Sequence, residues 1–125
     1  MSEQFERGLA MRKQVMGEAF VEKAFADADD FTRPMQDFVT EHAWGTVWNR
    51  PGLALKTRSL ITLAMLAALG RSQELKGHVR GALNNGASVD EIREVLMHAA
   101  IYAGVPLSID AMRAAREVIA EVERG

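Results

Sequence analysis

A chain of 125 residues is long enough for one domain with a real core, and 48% apolar residues place it outside the disordered class. A net charge of -2 with interspersed signs supplies no basic field for phosphate backbones, so no nucleic-acid partner is expected. With no cysteine, disulfides, thiolate metal sites and thiol nucleophiles are excluded.

Apolar residues recur at helical spacing almost throughout, with no strand alternation and no repeat. Residues 3–16 place Phe5, Leu9, Met11 and Val15 near one stripe, too interrupted by charge for a signal peptide. A short helix is expected over 18–28, carrying Ala19, Phe20, Ala24 and Phe25. The segment DDFTRPMQDFVTEHAW opens a third, with Thr32 as cap, Pro34 in the first turn, and Phe38 and Val39 facing inward. Gly45, Pro51 and Gly52 are expected to break it, leaving 45–54 as a loop with at most a helical turn.

Helix resumes from Leu55 to Leu69, and positions 60–69 are apolar except for Thr62. A helix apolar on all sides is expected to be buried on all sides. Gly70 stops it, and a helix over 72–84 ends at the left-handed signal NNG, residues 84–86. Ser88 with Glu91 forms a capping box for a helix over 89–103, with Ile92, Val95, Leu96, Ala99 and Ala103 inward. Gly104 and Pro106 turn the chain into a last helix, 107–123.

The expectation is one all-α domain over 1–125, a compact bundle of six or seven helices. The longest apolar run, LITLAMLAALG, falls short of the roughly 20 residues of a membrane span, so a soluble cytoplasmic protein with no membrane partner is expected. One small domain has trouble covering both the 60–69 helix and the apolar 95–103 face; a homo-oligomer is therefore expected.

Polar groups inside apolar helices mark the places for chemistry. Glu94, His98 and Tyr102 stand in one row at four-residue spacing, and Glu74 precedes His78 by one turn. His78 and His98 each read either as a satisfied surface or core imidazole or as a proton carrier, whereas His42 reads only as a solvated helix residue. No metal is expected: bundle sites use Glu-x-x-His, and the His-Glu-x-x-His of zinc proteases is absent. Arg58, next to Ser59 in a first helical turn, opposes the helix dipole. It reads as a snorkelling side chain or as a fork for a carboxylate, and with Arg50 it would suit a dianion. Trp44 and Trp48 read as packing or as the dry wall of a pocket.

Three blocks occur together: W-G-x-x-W-x-R-P-G-L, T-R-S-L-x-T-L-A and H-x-x-x-Y-A-G-V-P, within residues 42–106. With them the chain resembles the carboxymuconolactone decarboxylase family, nearly from end to end. The resemblance implies the fold shared with alkylhydroperoxidase-like proteins, whose pattern is a glutamate, Cys-x-x-Cys and a histidine four residues on. Here those positions hold Ser59, Arg71, Glu74 and His78, so thiol peroxidase chemistry is not implied. The resemblance implies cofactor-free loss of CO2 from 4-carboxymuconolactone, giving 3-oxoadipate enol-lactone in protocatechuate catabolism. It further implies a homo-oligomer, with a hexamer expected. On that reading His78, Glu74 and His98 are catalytic, and Arg50, Arg58, Ser59, Trp44, Trp48 and Tyr102 bind the dicarboxylate lactone. The alternatives are a decarboxylase or isomerase acting on another small carboxylated lactone or keto acid, or a helical interaction module without catalysis.

Overall fold

The computed structural model describes residues 2–125, which form two compact units, one ending at Ala54 and one running Leu55–Gly125. All regular structure among the described residues is helical.

The first unit contains α1 (Glu3–Met16), α2 (Glu18–Asp27) and α3 (Arg33–Phe38), which runs on into a π-helical segment, Val39–Val47. The Ser2 hydroxyl caps α1 by accepting from the Phe5 amide at 3.1 Å. Gly17, at φ +97°, breaks α1 from α2. Phe5, Val15, Met16, Val21, Trp44 and Trp48 form the buried apolar set, while Leu9 and Met11 are half-buried and Phe20 is exposed.

Two expectations fail in this unit for local reasons. Thr32 precedes α3, but its side chain caps no helical amide; its hydroxyl instead accepts from the Asp29 amide, while Asp29 Oδ1 accepts from the Phe31 and Thr32 amides. Those bonds hold the Asp29 carboxyl below its usual pKa, the Thr32 backbone bond weighing most. Phe38 points to solvent, its ring 4.8 Å from that of His42.

Gly45 does not break its helix. The wider π turns carry the chain through it to Val47, and the turn begins only at Trp48. The reason lies across the unit. A Cβ on Gly45 would strike the Gln4 carbonyl of α1, and one on Gly8 would strike the Thr40 carbonyl and approach the Gly45 nitrogen to 2.7 Å. The two backbones touch because neither glycine has a side chain. Beside this crossing Arg12 is buried, donating from Nη1 to the Thr40 hydroxyl at 3.1 Å, which in turn donates to the Gln36 carbonyl at 2.7 Å. Burial lowers the pKa of this guanidinium.

The second unit packs α4 (Leu55–Ala68), α5 (Ser72–Asn84), α6 (Val89–Ala103) and α7 (Val105–Arg124) around Leu63, Leu75, Val79, Ile92, Leu96 and Val118. Ala82, Ala111, Ala114 and Ala115 keep the helices close. Gly86, at φ +91°, ends α5, and the Ala87 amide returns to the Ala82 carbonyl at 2.9 Å. The Ser88–Glu91 capping box forms in both directions, and Glu91 also meets Lys56 of α4 at 3.1 Å. The Ser88 amide first and Lys56 second hold the Glu91 carboxyl low. Pro106 fits the first turn of α7, so that helix begins at Val105 rather than at 107.

Helix α4 is not buried on all sides. Ser59, Leu63 and Ala67 are buried, whereas Ile61, Met65 and Leu69 are exposed. The apolar face of α6 behaves likewise: Ile92, Leu96 and Ala99 are buried, and Met97, Ile101 and Tyr102 are open to solvent. No helix among the described residues is long and apolar enough to cross a membrane.

Candidate active site

Helical periodicity gives α6 two working faces. Val95, His98, Ala99, Tyr102 and Ala103 face Leu60, Ile61, Ala64, Met65 and Ala68 of α4 across a groove of about 510 Å³. Within this lining only His98 and Tyr102 carry side-chain nitrogen or oxygen. Their rings are 5.2 Å apart at a tilt of 32°, the consequence of a four-residue separation on one helix. An apolar trough with an imidazole and a phenol at its lip has the make-up of a small-molecule site. Hydrogen bonds made there are stronger than in water once a ligand excludes solvent.

Where α4 begins, it is fastened to the end of α5. Ser59 is fully buried, and its hydroxyl accepts from the Asn85 side-chain amide at 2.9 Å; the same amide lies 3.3 Å from the Leu55 carbonyl. The Ser59 hydroxyl thus serves to fasten the start of α4 to the end of α5. Arg58 beside it is half-buried, with Nε inside, and its carbonyl accepts from the Thr62 hydroxyl at 2.7 Å. His78, on α5, is also half-buried with Nδ1 inside. Neither Arg58 nor His78 lines the α4–α6 groove. Glu74 is exposed, and Arg71 holds its carboxylate at 2.9 Å. That ion pair occupies the group expected to orient His78.

Trp44, Trp48 and Arg50 belong to the first unit. The two indoles stack with centroids 4.5 Å apart and planes at 21°, both buried. Asn49 Nδ2 donates to the Trp44 carbonyl at 2.7 Å, which closes the turn after the π segment. Arg50 follows, exposed, its amide donating to the Val47 carbonyl at 3.1 Å.

Sequence reasoning brought His98 and Tyr102 together and missed Asn85 and Arg71. Asn85 reads in sequence as a turn residue, and nothing local shows its amide reaching back 26 residues to Ser59. Arg71 is legible as a cation three residues before Glu74 on a helix start. Among the described residues no cluster of His, Asp and Glu is placed to hold a metal ion.

The carboxymuconolactone decarboxylase family model matches residues 33–117. The chain is 48% identical over 122 residues to a nitrosuccinic acid decarboxylase of Metarhizium robertsii, covering 97% of this chain and 85% of that protein. It is 43% identical over 120 residues to the 4-carboxymuconolactone decarboxylase of Acinetobacter baylyi, covering 96% and 90%. A shorter likeness, 36% over 80 residues, links it to an uncharacterized 15.0 kDa protein of Paracoccus denitrificans and covers 62% and 60%. Residues 33–117 span both units, and the chain belongs to the carboxymuconolactone decarboxylase family.

Proposed function

We propose that this chain decarboxylates 4-carboxymuconolactone without a cofactor, as a soluble cytoplasmic homo-oligomer, a hexamer. The likeness to the Acinetobacter enzyme over nearly the full length of both chains carries the reading. The chemistry needs no borrowed electron sink. As the bond to the departing carboxylate breaks, its electron pair moves through the ring double bond to the lactone carbonyl oxygen. A proton then adds at the α carbon, and the enol-lactone and CO2 result. The protein has to hold two negative charges, keep water from the leaving carboxylate, stabilise the oxyanion and deliver one proton.

The groove between α4 and α6 supplies apolar walls, and His98 with Tyr102 supplies donors for the developing oxyanion. Outside that lining, Arg58 is assigned a carboxylate and His78 the proton; for Arg50, Trp44 and Trp48 of the first unit, carboxylate binding and exclusion of water stay expectations from the sequence. Ser59 acts at one remove, by fixing the turn that carries Arg58. Glu74 serves the helix start through Arg71.

Nitrosuccinate is the second reading, favoured by the 48% identity to the Metarhizium protein. It too is a dianion that carries its own sink: loss of the carboxylate next to the nitro group leaves a nitronate. Purified protein offered each substrate separates the two by kcat/KM. On 4-carboxymuconolactone, His78→Ala should lower kcat about 100-fold or more, the size of a lost general acid. Tyr102→Phe should lower it less, and Arg58→Ala should chiefly raise KM. Release of CO2 from neither substrate overturns the proposal; wild-type turnover in His78→Ala removes that residue's role.

A further inference from the structure

Helix α6 has a second groove on its other side, between α6 and α7, of about 770 Å³. Its floor is apolar, built on Ile92, Leu96, Ile109 and Met112, and guanidinium groups of Arg93, Arg113 and Arg116 edge it. Arg93 is held by Asp90 at 2.6 Å, but among the described residues neither Arg113 nor Arg116 has an ion-pair partner. An apolar trough with unbalanced positive charge at its rim fits an anchor that is apolar at its tip and acidic at its flank.

The first unit presents such an anchor. Residues 18–31 hold five carboxylates against one lysine. Phe31 is 91% exposed, the most open large apolar side chain described. It is not on a loose end: Asp29 Oδ1 accepts from the Phe31 amide at 3.0 Å and from the Thr32 amide at 2.9 Å, while the Thr32 hydroxyl accepts from the Asp29 amide at 3.0 Å. These bonds order the turn at Phe31, whose ring stands in water, and Asp30, also exposed, precedes it in the chain. A pre-ordered aromatic costs little further entropy on docking.

We infer that Phe31 and Asp30 of one copy seat in the α6–α7 groove of a second copy, ring on the apolar floor and carboxylate against Arg113 and Arg116. The inference rests on the homo-oligomer proposed above and names its contact. Because anchor and groove are different surfaces, the contact is made twice about a two-fold axis or runs head to tail from copy to copy, as the rotation between copies decides. Both surfaces are exposed, so their variants retain the fold.

The experiment measures mass by light scattering on a sizing column. It uses the pair Asp30→Lys with Phe31→Ser in one chain and Arg113→Glu with Arg116→Glu in another. Each variant alone should run at lower mass than wild type, down to the 13.8 kDa chain where this is the sole contact. An equimolar mixture should recover a larger species, because one chain still has its groove and the other its anchor. Wild-type mass for either variant overturns the inference, and so does a mixture that recovers nothing, which shows that this anchor and this groove do not meet each other. A wild-type protein already at 13.8 kDa overturns the oligomer itself, a separate result.

Discussion

Asn85 shows how one side chain can decide where a helix starts. Its amide donates to the buried Ser59 hydroxyl, which has no solvent to fall back on. Truncation leaves a buried acceptor without its donor, a loss of about 1–2 kcal/mol. Asn85→Ala should therefore lower the midpoint of chemical unfolding without changing its slope. If Arg58 depends on that turn, the variant should also raise KM more than it lowers kcat. Arg12 presents the opposite case, a charge buried against a hydroxyl and the Phe25 ring, 5.7 Å from its centroid, which reads in sequence as one more surface arginine. Burial alone made that residue unusual, and burial is not written in its neighbours.

Among the elements, the crossing of α1 with the π segment is the most sharply constrained. Gly8 and Gly45 stand where two backbones meet, and a methyl group at Gly8 lands on the Thr40 carbonyl, which cannot swing away as a flexible side chain would. Overpacking of this kind costs about 1–3 kcal/mol and at times more. Gly8→Ala should destabilise the protein by at least that much in denaturant titration, although alanine is the better helix former at an ordinary position. The mismatch between propensity and outcome is the test, since an equally stable or firmer Gly8→Ala protein would show that the helices do not touch there. The same crossing explains why Gly45 sits within a helix when its sequence context reads as a break. The end of α5 and both ends of α6 were legible, because the Ser88–Glu91 box and the positive φ of Gly86 and Gly104 are local devices.

For the whole molecule the uncovered apolar surface dominates. Ile61 and Met65 of α4, Leu69 just after it, and Ile101 and Tyr102 of α6 stand in water in the single chain, Tyr102 at 81% exposure. Exposed apolar side chains of this kind are what the proposed homo-oligomer would cover. The thermal midpoint should rise with protein concentration, as mass action requires of an oligomer. Flat midpoints over a hundredfold range of concentration would contradict it. The proposed association also bears on the proposed chemistry, because His98 and Tyr102 are exposed in the single chain, and desolvation by a second copy would strengthen the hydrogen bonds proposed for them.

The all-helical class, the boundaries of α5 and α6 and the row of His98 and Tyr102 were determined by the sequence alone. All three follow from spacing within one helix or from caps spanning a few residues. The three motif blocks carried the family in the same local way. Tertiary structure decided the rest. It committed Ser59 to Asn85 and Glu74 to Arg71, turned Phe31 and Phe38 outward, left α4 half uncovered, and set two grooves on opposite sides of α6. Periodicity says which residues share a face. Whether that face meets another helix, a ligand or water depends on segments far away in the chain, and no local pattern records their approach.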